Sequence, residues 1–281
     1  MKLKTNLNVN ALVPDYNQRQ PRDSKGFAGL QKKTRARNIW QLLPTLLVGT
    51  LLLTMATPAR SQNNNDQQNG QGGGNVLPPG ARPHGYSLDE MAKLLALFNT
   101  SANNPQYYPK TPFQILALPY GNSNNPTYTP ITCPPNPPGG LLVTGGNTFV
   151  VRPGTPLFVP IVSYDDSPTV VGVFPTHASQ VEDYVFGTAG LGARNFTIAV
   201  DGDKTPVGPE FLAGPVSTPT LLDGGGTHLI ELGVFLTPMS IGTHEVTIKG
   251  EVATSTAFSL VYGISCYAED FTYTVKVAPG H

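Results

Sequence analysis

The chain has 281 residues and balances 18 basic against 18 acidic groups. Residues 1–61 hold ten of the basic groups and only two of the acids, Asp15 and Asp23, so the remainder sits near −8. An acidic body lacks the basic patches that nucleic acid and anionic lipid surfaces call for, which excludes both as expected partners.

The first 38 residues are basic, and 39–55 are apolar with few polar interruptions. Small residues follow at Ala56, Ala59 and Ser61, so 1–61 reads as a basic n-region and signal peptide cleaved after Ala59 or Ser61. The rival reading is an uncleaved anchor spanning 39–55. Export to a secreted or periplasmic location is expected, with membrane attachment only through an uncleaved leader. Residues 62–85 are rich in Asn, Gln, Gly and Pro and predict a disordered tether.

At 86–140 the pattern changes. Ser87 and Glu90 form a capping box, Tyr86 and Met91 occupy staple positions, and Leu88, Met91, Leu94, Leu95 and Phe98 make one apolar stripe. This predicts one N-terminal amphipathic helix. A lead-in rich in Asn, Pro and Tyr follows, with one strand-like piece at 113–118. Its tyrosines Tyr107, Tyr108, Tyr120 and Tyr128 suit either a stacking platform for sugars or a loop that packs itself down.

Residues 141–281 alternate short apolar runs with turn signals, as a β-sandwich does. Strands are predicted at 147–152, 157–164, 170–174, 195–200, 228–236, 244–252, 258–263 and 271–277. Pro153-Gly154 suits a type II turn and Asp201-Gly202 a tight hairpin. In the last strand Phe271, Tyr273, Val275 and Val277 face inward, while Thr272, Thr274 and Lys276 face out. The fold class is mainly β: an antiparallel sandwich preceded by one helix. Cys133 and Cys266 flank this region, and an oxidising compartment allows them to pair.

The segment 242–250, GTHEVTIKG, resembles the late strand of many immunoglobulin-like exported domains. The segment 147–162, NTFVVRPGTPLFVPIV, resembles part of exported bacterial proteins without an assigned activity. These resemblances imply architecture, immunoglobulin-like or jelly-roll-like, and carry no catalytic residue across.

Gly-Thr-His occurs twice at a strand start, at Gly226 to His228 and at Gly242 to His244. Reading 228–236 and 244–252 as a hairpin that pairs Leu236 with Thr243 places the histidines roughly 23 Å apart, too far to share a metal ion. Two strands in different sheets would reopen that question. There is no His-x-His, so the metal-ligand pattern of the cupin jelly rolls is not met. Asp201, Asp203 and Glu210 have the oxygen-ligand character of a calcium site, although a hairpin turn also accounts for the first two.

Adjacent acids at Asp165 and Asp166, Glu182 and Asp183, and Glu269 and Asp270 are candidates for a glycosidase pair. No nucleophile elbow, zinc helix, phosphate loop or dinucleotide fingerprint is present in the sequence, and no cofactor is expected. The expected function is an exported non-enzymatic module that binds an extracellular glycan or cell-surface protein or serves surface structure. The alternative is an extracytoplasmic hydrolase acting on glycans with loop carboxylates.

Overall fold

The computed structural model describes residues 73–118, 126–133, 139–168, 170–252 and 263–279. The leader at 1–61, Tyr120 and most of the strand expected at 258–263 lie outside them.

The described chain is mainly β, with ten strands in two open sheets. The smaller sheet has the order β1 (Gln114–Ile115), β4 (Leu157–Asp165), β8 (His228–Leu236), β7 (Leu212–Ser217). The larger has the order β2 (Thr127–Ile131), β3 (Gly140–Val151), β10 (Tyr267–Val277), β9 (Gly242–Val252), β5 (Arg194–Val200), β6 (Asp203–Pro206). Both are mixed, because β3 runs parallel to β10 and β1 parallel to β4. The wholly antiparallel expectation is therefore corrected. β3 and β10 are far apart in the chain, so no tight turn dictates their relative direction.

The expected hairpin between β8 and β9 does not exist. Leu236 pairs with Leu157 of β4, whereas Thr243 pairs with Lys276 of β10, and the intervening loop passes from one sheet to the other. The cause lies in the apolar pattern. β9 alternates, with Val246, Ile248, Gly250 and Val252 buried between exposed or half-buried neighbours. β8 is buried at every position after His228. A strand with Leu229 and Phe235 on one face and Ile230, Leu232 and Val234 on the other needs cover on both sides. Pairing it beside β9 would have exposed one of those faces.

β4 is also buried throughout, and it tolerates Pro160 because the ladder with β8 shifts register between Pro160 and Val162. The strand expected at 170–174 is a loop: Val171 is buried, Val173 is exposed, and the Phe174 ring meets Tyr184 edge-on at 5.6 Å. Pro168 and Pro175 bracket it and interrupt any ladder. In β10 the buried and half-buried residues alternate in the expected phase. Asp201-Gly202 forms the tight turn between β5 and β6, with both residues at positive φ.

One helix of 13 residues, α1 (Leu88–Thr100), packs on β7 and β8. Ser87 Oγ accepts from Glu90 N–H at 3.2 Å, and the Glu90 carboxylate accepts from Ser87 N–H at 2.6 Å. Its buried face is Leu88, Met91, Leu95 and Phe98 flanked by Ala92 and Ala96, while Leu94 is exposed. The small alanines let the helix approach the sheet, which turns Leu94 away from it. A short second helix, α2 (Val181–Val185), follows the 166–177 loop.

Within 86–140, β1 and β2 each add an edge strand to a sheet. Of the tether expected at 62–85, residues 62–72 lie outside the described residues, and 73–77 run beside the end of β8. Val76 bridges Leu236, Leu77 N–H donates to Phe235 O at 2.9 Å, and Thr237 N–H donates to Asn75 O at 2.9 Å. β7 reaches only as far as Leu232 along β8, so this segment satisfies the strand edge that β7 leaves open.

Cys133 and Cys266 form a disulfide with Cα atoms 5.7 Å apart. It ties the end of β2 to the start of β10. Gly140 opens β3 directly against it, where any Cβ would collide with both sulfurs.

Candidate functional site

Buried polar groups are more informative than buried apolar ones, because each must be satisfied or kept neutral. Most of those described gather at one end of the four-stranded sheet. The C-terminal turn of α1 brings Asn99 and Thr100, with Asn103 just beyond; β4 and its exit bring Ser163, Asp165 and Ser167; β8 brings Glu231. Several are closed by local bonds. Asp165 Oδ1 accepts from Ser167 N–H at 2.8 Å, Ser167 Oγ accepts from Gly226 N–H at 3.0 Å, and Asn103 Nδ2 donates to Leu118 O at 2.9 Å. Burial pushes the Glu231 carboxyl well above the usual carboxylate range, opposed only by the hydrogen bond from Asn99. A general acid needs such a shift, but it must also reach its substrate. Glu231 is 1% exposed beneath α1, so its proton has no path to a ligand.

At the surface of this cluster lies the first Gly-Thr-His. Asp166 Oδ1 accepts from the Thr227 N–H at 2.6 Å and the His228 N–H at 2.9 Å, and Oδ2 accepts from His228 Nδ1 at 2.9 Å. A Cβ on Gly226 would collide with the same carboxylate. The second Gly-Thr-His is held in a parallel manner. Asp201 Oδ1 accepts from the Glu245 N–H at 2.9 Å, and Oδ2 accepts from His244 Nδ1 at 2.7 Å. Here Gly242 has φ +148°, which side-chain-bearing residues rarely adopt. The sequence repeat is thus a structural repeat: an aspartate from another strand or loop clamps backbone and imidazole where a strand begins.

The two histidines do lie in different sheets, the arrangement that would reopen a shared site, yet each ring has its own aspartate. Among the described residues no group of three His, Cys, Asp or Glu side chains could hold a metal ion. Asp203 and Glu210 are exposed, and Asp201 is engaged by His244.

Asp201, His244 and Ser240 occupy the order of an acid–base–nucleophile relay, but the hydrogen bonds run the wrong way. His244 Nε2 donates to the Ser240 carbonyl at 2.9 Å, while the Ser240 hydroxyl is 3.4 Å away. A carbonyl accepts only, as does a carboxylate, so both ring nitrogens carry protons and neither can take one from Ser240. Burial alone would lower the His244 pKa, but the Asp201 carboxylate and Ser240 carbonyl overrule it and raise it. Desolvation of Asp201 is likewise outweighed by His244 and the Glu245 N–H, which lower its pKa.

These shifts fix the pH behaviour of the clamp. The raised His244 contributes stability fully below the ordinary imidazole value of 6.5, and loses it as pH rises through the folded value. The lowered Asp201 contributes above the ordinary 3.8, and loses it as pH falls through the folded value. Asp201→Asn is therefore expected to destabilise most between those two ordinary values. It should also lower the His244 midpoint in an NMR titration; an unchanged midpoint refutes the clamp.

The candidate acid pairs separate. Glu182 and Asp183 are exposed on α2. Glu269 and Asp270 fall on opposite faces of β10: Glu269 is buried, with burial raising its pKa against a weaker pull from Tyr267, while Asp270 pairs with Lys249 at 2.7 Å. The tyrosines separate too. Tyr108 packs edge-on against Phe98 at 5.4 Å and its hydroxyl accepts from Ile115 N–H, whereas Tyr128 lies on β2 in the other sheet.

The surface feature that sequence reasoning missed is the outer face of the six-stranded sheet. Two adjoining hollows of about 340 and 420 Å³ share Thr197, Lys249 and Asp270. Thr247 and Thr272 pair across β9 and β10 in one, and Asn195 and Glu251 line the other. Glu251 accepts from Arg194 Nε at 2.7 Å. The outward alternate residues of β5, β9 and β10 carry the signal, but only the strand order places them side by side. Comparison of the chain with known family models, curated proteins and solved structures finds no match.

Proposed function

We propose that the chain is an exported, non-enzymatic β-sandwich module, immunoglobulin-like or jelly-roll-like, that binds an extracellular glycan on the outer face of its six-stranded sheet. Support for face-to-face sheets comes from β4 and β8, which are buried on both faces and share one continuous apolar core with the inward residues of β9 and β10. Support for export comes from the disulfide, which suits an oxidising compartment outside the cytoplasm. Among the described residues no helix is long and apolar enough to cross a membrane.

The observation that carries the glycan reading is the trough itself. Hydroxyls from Thr197, Thr247 and Thr272, the amide of Asn195 and the Lys249–Asp270 pair lie in one contiguous, open depression. Closely spaced polar groups, with charges of both signs that include Lys204 and Glu245, match a polyhydroxylated ligand, which offers alternating donors and acceptors and no net charge. A single-sign surface would instead favour a charged polymer.

The test is calorimetric titration of the purified protein with neutral polysaccharide fragments. Thr247→Trp, which fills the trough from a solvent-facing position, is expected to weaken binding at least tenfold while leaving the thermal midpoint unchanged. Failure of the wild type to bind any such fragment, or undiminished binding by the variant, overturns the reading. Release of reducing ends during titration would instead favour the hydrolase alternative.

A further inference from the structure

Glu231 and Asn99 leave complementary atoms unmatched. Asn99 Nδ2 donates to Glu231 Oε2 at 3.0 Å, and both residues are buried. The other two atoms of the pair, Glu231 Oε1 and Asn99 Oδ1, are each buried without a hydrogen-bond partner. Two orphaned acceptors on adjoining groups are costly if the carboxyl is ionised, since an anion has no proton to offer either. A single proton on Oε1 resolves both: the acid O–H donates to Asn99 Oδ1 while Oε2 accepts from Nδ2.

We infer that Glu231 and Asn99 form a reciprocal acid–amide pair that locks the C-terminal turn of α1 onto β8, and that base opens this lock by removing the shared proton. The lock is placed where the helix has few other polar ties. At its first turn Asp89 accepts from Gly214 N–H at 2.8 Å; at its last, Thr100 Oγ1 accepts from Leu222 N–H at only 3.3 Å. Removing the proton leaves a buried anion facing the Asn99 carbonyl oxygen or turned from it, and moving the helix end admits the water that anion requires.

The surrounding charges favour the neutral acid. On β4, Ser163 stands opposite Glu231, and Asp165, opposite Leu229, is a second buried carboxyl on the same face. On α2, Tyr184 has its pKa raised by burial and by Asp165. β7 places Ala213 opposite Glu231 and carries no titratable side chain. On α1 the remaining charges, Asp89, Glu90 and Lys93, lie in its first half; on β8 the other titratable group is His228, three positions before Glu231, on the opposite face of the strand and paired with Asp166. None of these groups supplies a cation to neutralise an ionised Glu231.

Glu231→Gln is the decisive variant, because its amide reproduces both bonds without an ionisable proton. Carbon-13 detection of the Glu231 carboxyl in the full protein should show the protonated form at pH 6. Raising the pH to 10 should increase amide exchange at the C-terminal turn of α1, corrected for intrinsic rate, at least tenfold in wild type and less than twofold in Glu231→Gln. Asn99→Leu, which leaves the acid unpaired, should show the raised exchange already at pH 6. An ionised carboxyl signal at pH 6, or equal base sensitivity in wild type and Glu231→Gln, overturns the inference. If Asn99→Leu fails to fold, the carboxyl signal and the Glu231→Gln comparison still decide it.

Discussion

Replacing Phe235 by alanine is expected to destabilise the protein by about 3–5 kcal/mol. The ring is 2% exposed and meets two others, Phe158 and Phe113, each with centroids 5.1 Å away. Each such contact is worth roughly 0.5–1.5 kcal/mol beyond burial. The cavity would open where three segments converge, β4, β8 and the lead-in before β1, so little can collapse to fill it. In thermal unfolding this corresponds to a fall of roughly 6–20 °C for a domain of this size. Had β8 and β9 formed a hairpin with one solvated face, Phe235 would lie on that face and its truncation would be nearly silent. A shift below about 2 °C would therefore restore the hairpin and remove the cover proposed for both faces of β8. Val150→Ala, at a β3 site that is 71% exposed, is the matched control with little expected effect.

The second large effect belongs to the disulfide. Cys133 and Cys266 are 133 residues apart, so the bond closes a loop containing β3 to β9, seven of the ten described strands. In the chain-entropy treatment a loop of that length restricts the unfolded chain by about 5 kcal/mol. Reduction, or the double change to serine, should lower the denaturant midpoint with little change in the folded spectrum. Its influence acts mainly on the unfolded state, so the folded contacts around Gly140 need not rearrange. Equal midpoints with and without reductant would show that the bond is absent in solution or that the unfolded chain is already restricted there.

The two histidine clamps illustrate how far residue patterns reach. Gly-Thr-His is visible as a repeat, and glycine followed by alternation marks each copy as a strand start. The aspartates that complete it were visible only as members of unrelated groups, Asp166 among adjacent acids and Asp201 in a turn. Asp166 is 62 positions from His228, and Asp201 is 43 from His244. Nothing local in a chain announces a partner at such a separation. The trough is a similar case: Thr197, Thr247 and Thr272 each read as ordinary solvent-facing strand residues, and become neighbours only because β5, β9 and β10 lie side by side.

Local periodicity by itself determined the mainly β character, the phase of β10 and the turn at Asp201-Gly202, because each depends on alternation or backbone freedom within a few residues. Tertiary structure decided the rest. It set β8 and β9 in different sheets, ran β10 parallel to β3, fastened residues 73–77 to β8 and turned Leu94 out of the helix contact. Those outcomes depend on which faces must be covered at once. β8, apolar on both faces, is the strand that forced the choice: its second face could be buried only by leaving β9 and entering a sheet with cover on either side.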